Sequence, residues 1–199
     1  FILEGITMLS EGYPPASIEN LGVQAGMPKG ALALADSLGL NMVLRYENQA
    51  AEHYGSKYIQ HPAVEVLRIM LEELQRPGQQ KRAGFFNYQG EKATELWEGL
   101  NETFSSSKKR AKNEELMERF LFAQVLEAVW CMQEKVIHSV PAANLGSIYG
   151  WGFPAFKGGV IQYVNDYGVD AFVKRCAVFK KKYGQRFSVP SKLKDIVSE

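Results

Sequence analysis

"GMPKGALALADSLGL", residues 26–40, has the glycines and the lysine of a phosphate-cradling loop that runs into an apolar helix. The phrase returns in altered form at residues 152–169, as "GFPAFKGGVIQYVNDYGV". A ligand loop has no need of a second copy, whereas a structural corner is repeated whenever the unit that contains it is repeated. The recurrence therefore sets the frame for the residues on either side.

The echo extends outward. "FILEGITMLSEG" aligns with "FAQVLEAVWCMQEK", which places Glu4 opposite Glu127. "PPASIENLGVQAGMP" aligns with "SVPAANLGSIYGWGFP": a proline-led helix, Asn-Leu-Gly in both, then glycine, a bulky apolar residue and proline. Gly30 follows against Gly159, and Asp36-Ser37-Leu38-Gly39-Leu40 against Asn165-Asp166-Tyr167-Gly168-Val169, with the offset holding at about 125–129 residues. Proline drives the residue before it out of the helical region. Glycine allows close backbone packing, and Asp or Asn near a helix end can satisfy free backbone groups. These are scaffold tasks, and two related helical units are the economical architecture.

Helical rhythm fills most of the rest. Ile2, Ile6 and Leu9 share a face, and proline leads the next helix, which stops at Gly26. Gly39 ends a short helix, and Asn41 is a cap for one running toward Gly55. "HPAVEVLRIMLEELQRPG" puts Val64, Leu67, Leu71 and Leu74 on one stripe and stops at Pro77-Gly78. "KRAGFFNYQG" is aromatic and turn-rich, and no alternating strand pattern stands out. Residues 103–113, "TFSSSKKRAKN", read as an exposed linker. From Asn113 a long helix follows with Phe120, Leu121, Val125 and Met132 inward, its end marked by Ser139 and Pro141. A later helix presents Phe172, Val173, Cys176, Phe179 and Tyr183 on one side, stops at Gly184, and is followed by a tail helix over residues 190–197. The class is all-α, in units 1–102 and 113–199 joined by a linker at 103–112.

Composition narrows the function classes. The 199 residues are 46% hydrophobic and 23% charged, with a formal net charge of +1, so no charge excess argues for nucleic acid or an anionic membrane. Uninterrupted apolar runs fall well short of the roughly 18–20 residues of a membrane span. Cys131 and Cys176 both sit in helical apolar patterns, which fits buried thiols in a reducing, cytoplasmic setting. The abrupt start at Phe1, already in helical rhythm, suggests a fragment whose N-terminal partner is missing.

Residue types that carry chemistry are sparse. His53, His61 and His138 lack metal-ligand spacing. His138 has Glu134 one helical turn earlier, though a helix end also suits a histidine. No nucleophile elbow occurs, and Ser105–Ser107 sit in the polar linker. Lys108-Lys109-Arg110 and the denser set Lys174, Arg175, Lys180, Lys181, Lys182 and Arg186 could meet phosphates, but they read first as solvated faces. Glu72-Glu73 and Glu114-Glu115 read as exposed helix charges. Phe85, Phe86, Tyr88 and Trp97 form an aromatic group suited to a core or to an acyl pocket.

Two phrases carry a family resemblance. "GMPKGALALADSLGL" resembles the Gly-x-Pro-x-Gly, apolar, acidic, x-x-Gly-Leu phrase of the C-terminal helical domain of L-3-hydroxyacyl-CoA dehydrogenases. "AGFFNYQG", residues 83–90, resembles the Gly-Phe-Tyr-x-Tyr phrase that closes that domain, with Phe86 where tyrosine is common. The second copy is similar to the last part of the α subunit of bacterial fatty-acid-oxidation multifunctional proteins.

The resemblance implies two tandem helical units like the C-terminal domain of 6-phosphogluconate dehydrogenase. It also implies an enzyme of β-oxidation that takes L-3-hydroxyacyl-CoA to 3-ketoacyl-CoA, with NAD on an upstream Rossmann domain and a catalytic His–Glu pair there. None of that equipment is in this sequence, so no catalytic, cofactor-binding or metal residue is expected here. What remains is a cover for the cleft and a support for assembly. By the resemblance, Gly26, Met27, Pro28 and Gly30 border the bound acyl-CoA. The implied partners are the Rossmann domain, a hydratase domain, a thiolase subunit and a second copy in a homo-oligomer. The rival reading is a non-catalytic helical interaction module. A weaker third is the helical domain of a different dehydrogenase.

Overall fold

The computed structural model of the chain describes residues 1–104 and 111–198. Ser105–Ser107, Lys108, Lys109 and Arg110 lie outside the described residues. Among those described there are eleven α-helices and one two-stranded hairpin, so the mostly helical class is the one found. Packing divides the chain into two compact units. The first comprises Phe1–Val23 and Lys29–Asn113, the second Gln24–Pro28 and Glu114–Glu199. The turn of the first copy, residues 24–28, thus packs as part of the second unit.

In the first unit, α1 (Ile2–Ser10) buries Ile6, Met8 and Leu9 and sits deeply enough to bury Glu4 as well. Its repeat counterpart, Glu127, is exposed. α2 (Pro15–Gln24) opens on proline, whose missing N–H costs nothing in a first turn. α3 (Ala31–Leu38) stops at Gly39, where φ is 88°. α4 (Leu40–Tyr54) begins at once, so Asn41 lies inside the helix and is not its cap. α5 (Ala63–Arg68) continues into a π-helical turn at Ile69–Glu73. That wider turn breaks the expected stripe: Val64, Leu67 and then Met70 are buried, while Leu71 and Leu74 are only half-buried. α1 packs on α3 and α5, and α4 closes against both of those.

The aromatic segment is not helical. β1 (Phe86–Gln89) and β2 (Lys92–Leu96) form an antiparallel hairpin with an irregularity between Phe86 and Tyr88. Strands of four and five residues, the second exposed over most of its length, leave too short an alternation to read in the sequence. Asp36 of α3, fully buried, anchors the hairpin. One carboxylate oxygen accepts the Phe85 N–H at 2.9 Å, and the other accepts the Phe86 N–H and the Tyr88 hydroxyl, each at 2.9 Å. Arg76 holds the other side of the segment, donating to the Gly84 carbonyl at 2.7 Å, the Phe86 carbonyl at 3.0 Å and Asn87 Oδ1 at 2.8 Å. Its guanidinium also lies 4.5 Å over the Trp97 ring. A Cβ on Gly84 would collide with the Asp36 carboxylate, so this approach demands glycine. α6 (Gly99–Phe104) follows the hairpin.

The second unit is built around α7 (Asn113–Gln133), which buries ten of its residues between Leu116 and Val129. Phe122 lies at its centre, in ring contact with Tyr163, Tyr167, Phe172 and Phe179 at 4.2–6.2 Å. α7 ends well before Ser139, because Lys135 adopts a left-handed φ of 62°. Ser139 instead caps α8 (Val140–Trp151), accepting the Ala142 N–H at 3.3 Å. α9 (Val160–Tyr167), α10 (Val169–Tyr183) and α11 (Leu193–Val197) complete the unit. Phe172, Cys176 and Phe179 are buried, as the periodicity requires. Arg119, also buried, stacks 3.8 Å over the Tyr183 ring.

The Asp36 anchor gives a direct expectation. Asp36→Ala strands two backbone N–H groups and a hydroxyl, and should cost the first unit roughly 2–4 kcal/mol. Gly84→Ala should weaken it by steric collision with the same carboxylate. Urea unfolding of both variants checks this, and an unchanged midpoint in both would mean the hairpin is held by other contacts.

Candidate functional site

The repeated corner is built differently at its two ends. Its helical end is a capping device. α3 begins at Gly30, which has no side chain to satisfy the free N–H groups of the first turn. Glu19, from α2, supplies the acceptor: its Oε1 takes the Leu32 N–H at 2.5 Å and the Ala33 N–H at 3.3 Å. In the second unit Asn144 of α8 does the same for α9, with Oδ1 accepting from Ile161 at 2.8 Å and Gln162 at 3.2 Å. A Cβ on Gly30 would collide with the Glu19 carboxyl, and one on Gly159 would lie 2.5 Å from the Asn144 Cα. Both glycines are therefore fixed by the cap. The equivalence also moves the alignment by one residue: the partner of Asn144 is Glu19, not Asn20, and Ser147 falls opposite Gly22. Ser147 extends the arrangement by accepting the Val160 N–H at 3.3 Å.

The Gly-x-Pro turns meet inside the second unit, each glycine against the other turn's proline. Gly26, at φ 103°, leaves its Cβ position 2.7 Å from the Pro154 Cγ, and Gly152, at φ 77°, leaves its own 2.7 Å from the Pro28 Cγ. Gln124 of α7 ties the turns together. Its amide nitrogen donates to the Phe120 carbonyl at 2.9 Å and to the Met27 sulfur at 3.6 Å, while its oxygen accepts the Trp151 indole N–H at 3.0 Å. Met27 is turned inward, only 3% exposed, and Phe153 is likewise buried. Of the four residues expected to border a substrate, Gly26 and Met27 support the turn from beneath, Gly30 belongs to the cap, and Pro28 is the one exposed. Gln124 and Trp151 are members of this arrangement that the sequence reading missed; a polar residue within the largely apolar run over residues 120–129 was the available signal.

Ionisable groups gather around the cap and hairpin instead. Burial pushes the Glu19 carboxyl up to about 7, against the two N–H bonds that favour its charge. Burial also raises Asp36, outweighing its bonds from Phe86, Phe85 and Tyr88. Tyr88 is raised by burial and by the neighbouring Asp36 charge, and Arg76 is lowered by its own desolvation. With its two oxygens engaged by three donors, Asp36 is a structural acceptor and not a base open to a substrate.

The other candidates are dispersed. His138 is exposed and Glu134 lies beyond the end of α7, so no helical turn pairs them. His138 lines a shallow hollow of about 430 Å³ with Met132, Lys135, Lys192 and Asp195. His61 accepts the Ala63 N–H at 3.2 Å, and His53 packs edge-on to Tyr54. Glu115 is not the free helix charge the sequence suggested: Lys182 at 2.5 Å and the Tyr183 hydroxyl bind it, and these outweigh burial to lower its carboxyl. Arg175 joins Glu118 at 2.7 Å. Part of the basic region is thus neutralised by α7. Phe85 is core, Tyr88 binds Asp36, and Trp97 lies beneath Arg76. Among the described residues no cluster of three metal-ligating side chains forms and no helix is long and apolar enough to cross a membrane.

Comparison with known proteins places this geometry. Residues 1–88 match the family described as 3-hydroxyacyl-CoA dehydrogenase, C-terminal domain. The match ends on Tyr88, which closes the hairpin on Asp36. Over 94% of its length the chain is 26% identical to the fatty acid oxidation complex subunit alpha of Vibrio cholerae serotype O1, covering 26% of that protein. Over its whole length it is 27% identical to the subunit of the same name from Shewanella amazonensis, covering 28% of it. The chain spans about a quarter of these curated relatives. Among solved structures, the dehydrogenase part of multifunctional enzyme 1 from C. elegans shares the fold, with a TM-score of 0.62 over 98% of this chain and 46% of that one, at 14% identity.

The paired turns predict opposite outcomes for two similar substitutions. Gly152→Ala must hold a left-handed conformation against Pro28 and should destabilise the second unit by about 1–3 kcal/mol. Gly146→Ala, in α8 with open space around it, should be neutral or stabilise by up to ~1 kcal/mol. Thermal unfolding of the two variants separates these cases, and equal effects would remove the Pro28 contact from the account.

Proposed function

We propose a role for this chain that proceeds from its family: residues 1–88 belong to the 3-hydroxyacyl-CoA dehydrogenase C-terminal domain family, and the whole chain is a distant homologue of fatty acid oxidation complex alpha subunits. In its full-length protein it is the helical portion of an NAD-dependent dehydrogenase of β-oxidation. That enzyme oxidises L-3-hydroxyacyl-CoA to 3-ketoacyl-CoA in the cytoplasm. The chain covers the cleft and supports assembly.

The observation that carries this reading is the meeting of the two family phrases, "GMPKGALALADSLGL" and "AGFFNYQG", at Asp36. The chemistry itself falls to residues outside the chain. A dinucleotide needs a strand feeding through a glycine-rich turn into a helix, and the β-structure described here is one antiparallel hairpin. The residues present do not fit NAD, and no step of the reaction is assigned to them. At the corner, contact with acyl-CoA falls to Pro28, which is exposed, with Gly26 and Met27 beneath it and Gly30 in the cap behind.

One observation favours the second reading, a protein-interaction module. α8 contains no charged side chain, exposes Leu145 and Tyr149 (the latter 83% exposed), and turns Gly146 and Gly150 to open space. Such a face is the kind that another protein surface covers. It is compatible with the assembly half of the first reading: a hydratase domain, a thiolase subunit or a second copy of the chain.

The test is NADH oxidation with acetoacetyl-CoA. The isolated 199 residues should give no turnover, and the full-length gene product should be active and lose that activity when this portion is deleted. Turnover by the isolated chain would overturn the division of labour. A folded but inactive full-length product would leave the interaction module as the better reading.

A further inference from the structure

We infer that Glu19 makes the stability of the first unit proton-linked, while the equivalent corner of the second unit is insensitive to protons. The two corners perform one task with different chemistry. Each needs an acceptor reaching from one helix to the first N–H groups of the next, and Asn144 meets that need with a neutral amide at 2.8 and 3.2 Å. Glu19 meets it at 2.5 and 3.3 Å with a group that titrates. The socket therefore requires no charge, and the carboxyl adds a property the cap does not use.

The surroundings decide which state the fold favours. Glu19 is packed so closely against Gly30 that a methyl group there would overlap its carboxyl oxygens. The groups that act on it are the Asp36 carboxylate, from the same short helix it caps, and the Tyr88 hydroxyl, from the hairpin. Arg76 offsets Asp36 and is engaged with the hairpin. Lys29, beside the corner, is bound to Ser37 Oγ at 3.3 Å. A second charge enclosed near Asp36 is resisted by desolvation first and by like-charge repulsion second. The Glu19 carboxyl accordingly rises from 4.5 to about 7. Between those values the unfolded chain has already lost the proton that the folded chain keeps, so stability falls as pH rises through this window and levels off above it.

The experiment is native-state hydrogen exchange on the 199-residue chain from pH 5 to pH 8, corrected for intrinsic rates. Protection of the Leu32 and Ala33 amides should fall by well over ten-fold as pH rises from 5 to 8, because a carboxyl raised from 4.5 to about 7 is a proton held on the order of a hundred-fold or more tightly by the folded chain. Protection of Ile161 and Gln162 should stay level, and Glu19→Gln should flatten the first profile to match the second. A level profile at Leu32 in the unaltered chain, or an undiminished slope in Glu19→Gln, overturns the inference. Should that variant not fold, carbon-13 titration of the Glu19 carboxyl in the unaltered chain decides it: a midpoint near 4.5 refutes the proposal, and one well above that range supports it.

Discussion

Two short helices, α3 and α9, begin at glycines that cannot cap them, and the corner geometry follows from how that deficit is met. The acceptor comes from the preceding helix: Glu19 for α3 and Asn144 for α9. Once a side chain from one helix occupies the start of the next, the residue at that start can carry no Cβ. The crossing of the two helices is then fixed by a hydrogen bond to a backbone group that would otherwise be buried without a partner.

What differs between the copies can be traced to what each corner must also hold. Asp36 sits three residues before the glycine stop of α3, is buried, and receives the hairpin. Its counterpart Asn165 is exposed, and among the described residues no hairpin follows α9, so a carboxylate has no such task there. The backbone part of the motif survives in both: Gly39 N–H bonds to the Asp36 carbonyl and Gly168 N–H to that of Asn165. The backbone turn is common to both corners, and among the described residues only the first gives the side chain a partner.

The functional reading rests on the same economy. The phrase that invited a phosphate loop has its glycines committed to proline and carboxylate neighbours, and Pro28, Lys29 and Leu38 are its exposed members. Within the chain the ionisable groups of this region serve the scaffold, Asp36 anchoring the hairpin and Glu19 capping α3.

The helical class, the repeat, the proline-led starts, the glycine stops and the buried face of α10 were all legible along the chain, because each depends on local backbone preference or on the period of one helix. The hairpin was not, its strands being too short for an alternating pattern, nor was the π turn that moved the core stripe from Leu71 to Met70. The one-residue slip between Asn20 and Glu19 was equally hidden, since Asn-Leu-Gly recurs in a register that the helix does not use. It took the folded packing to bring Asp36, Arg119 and Gln124 indoors and to half-bury Glu19. Burial of a polar group is set by partners brought from distant parts of the chain, and residue type and spacing along one helix carry no record of those partners.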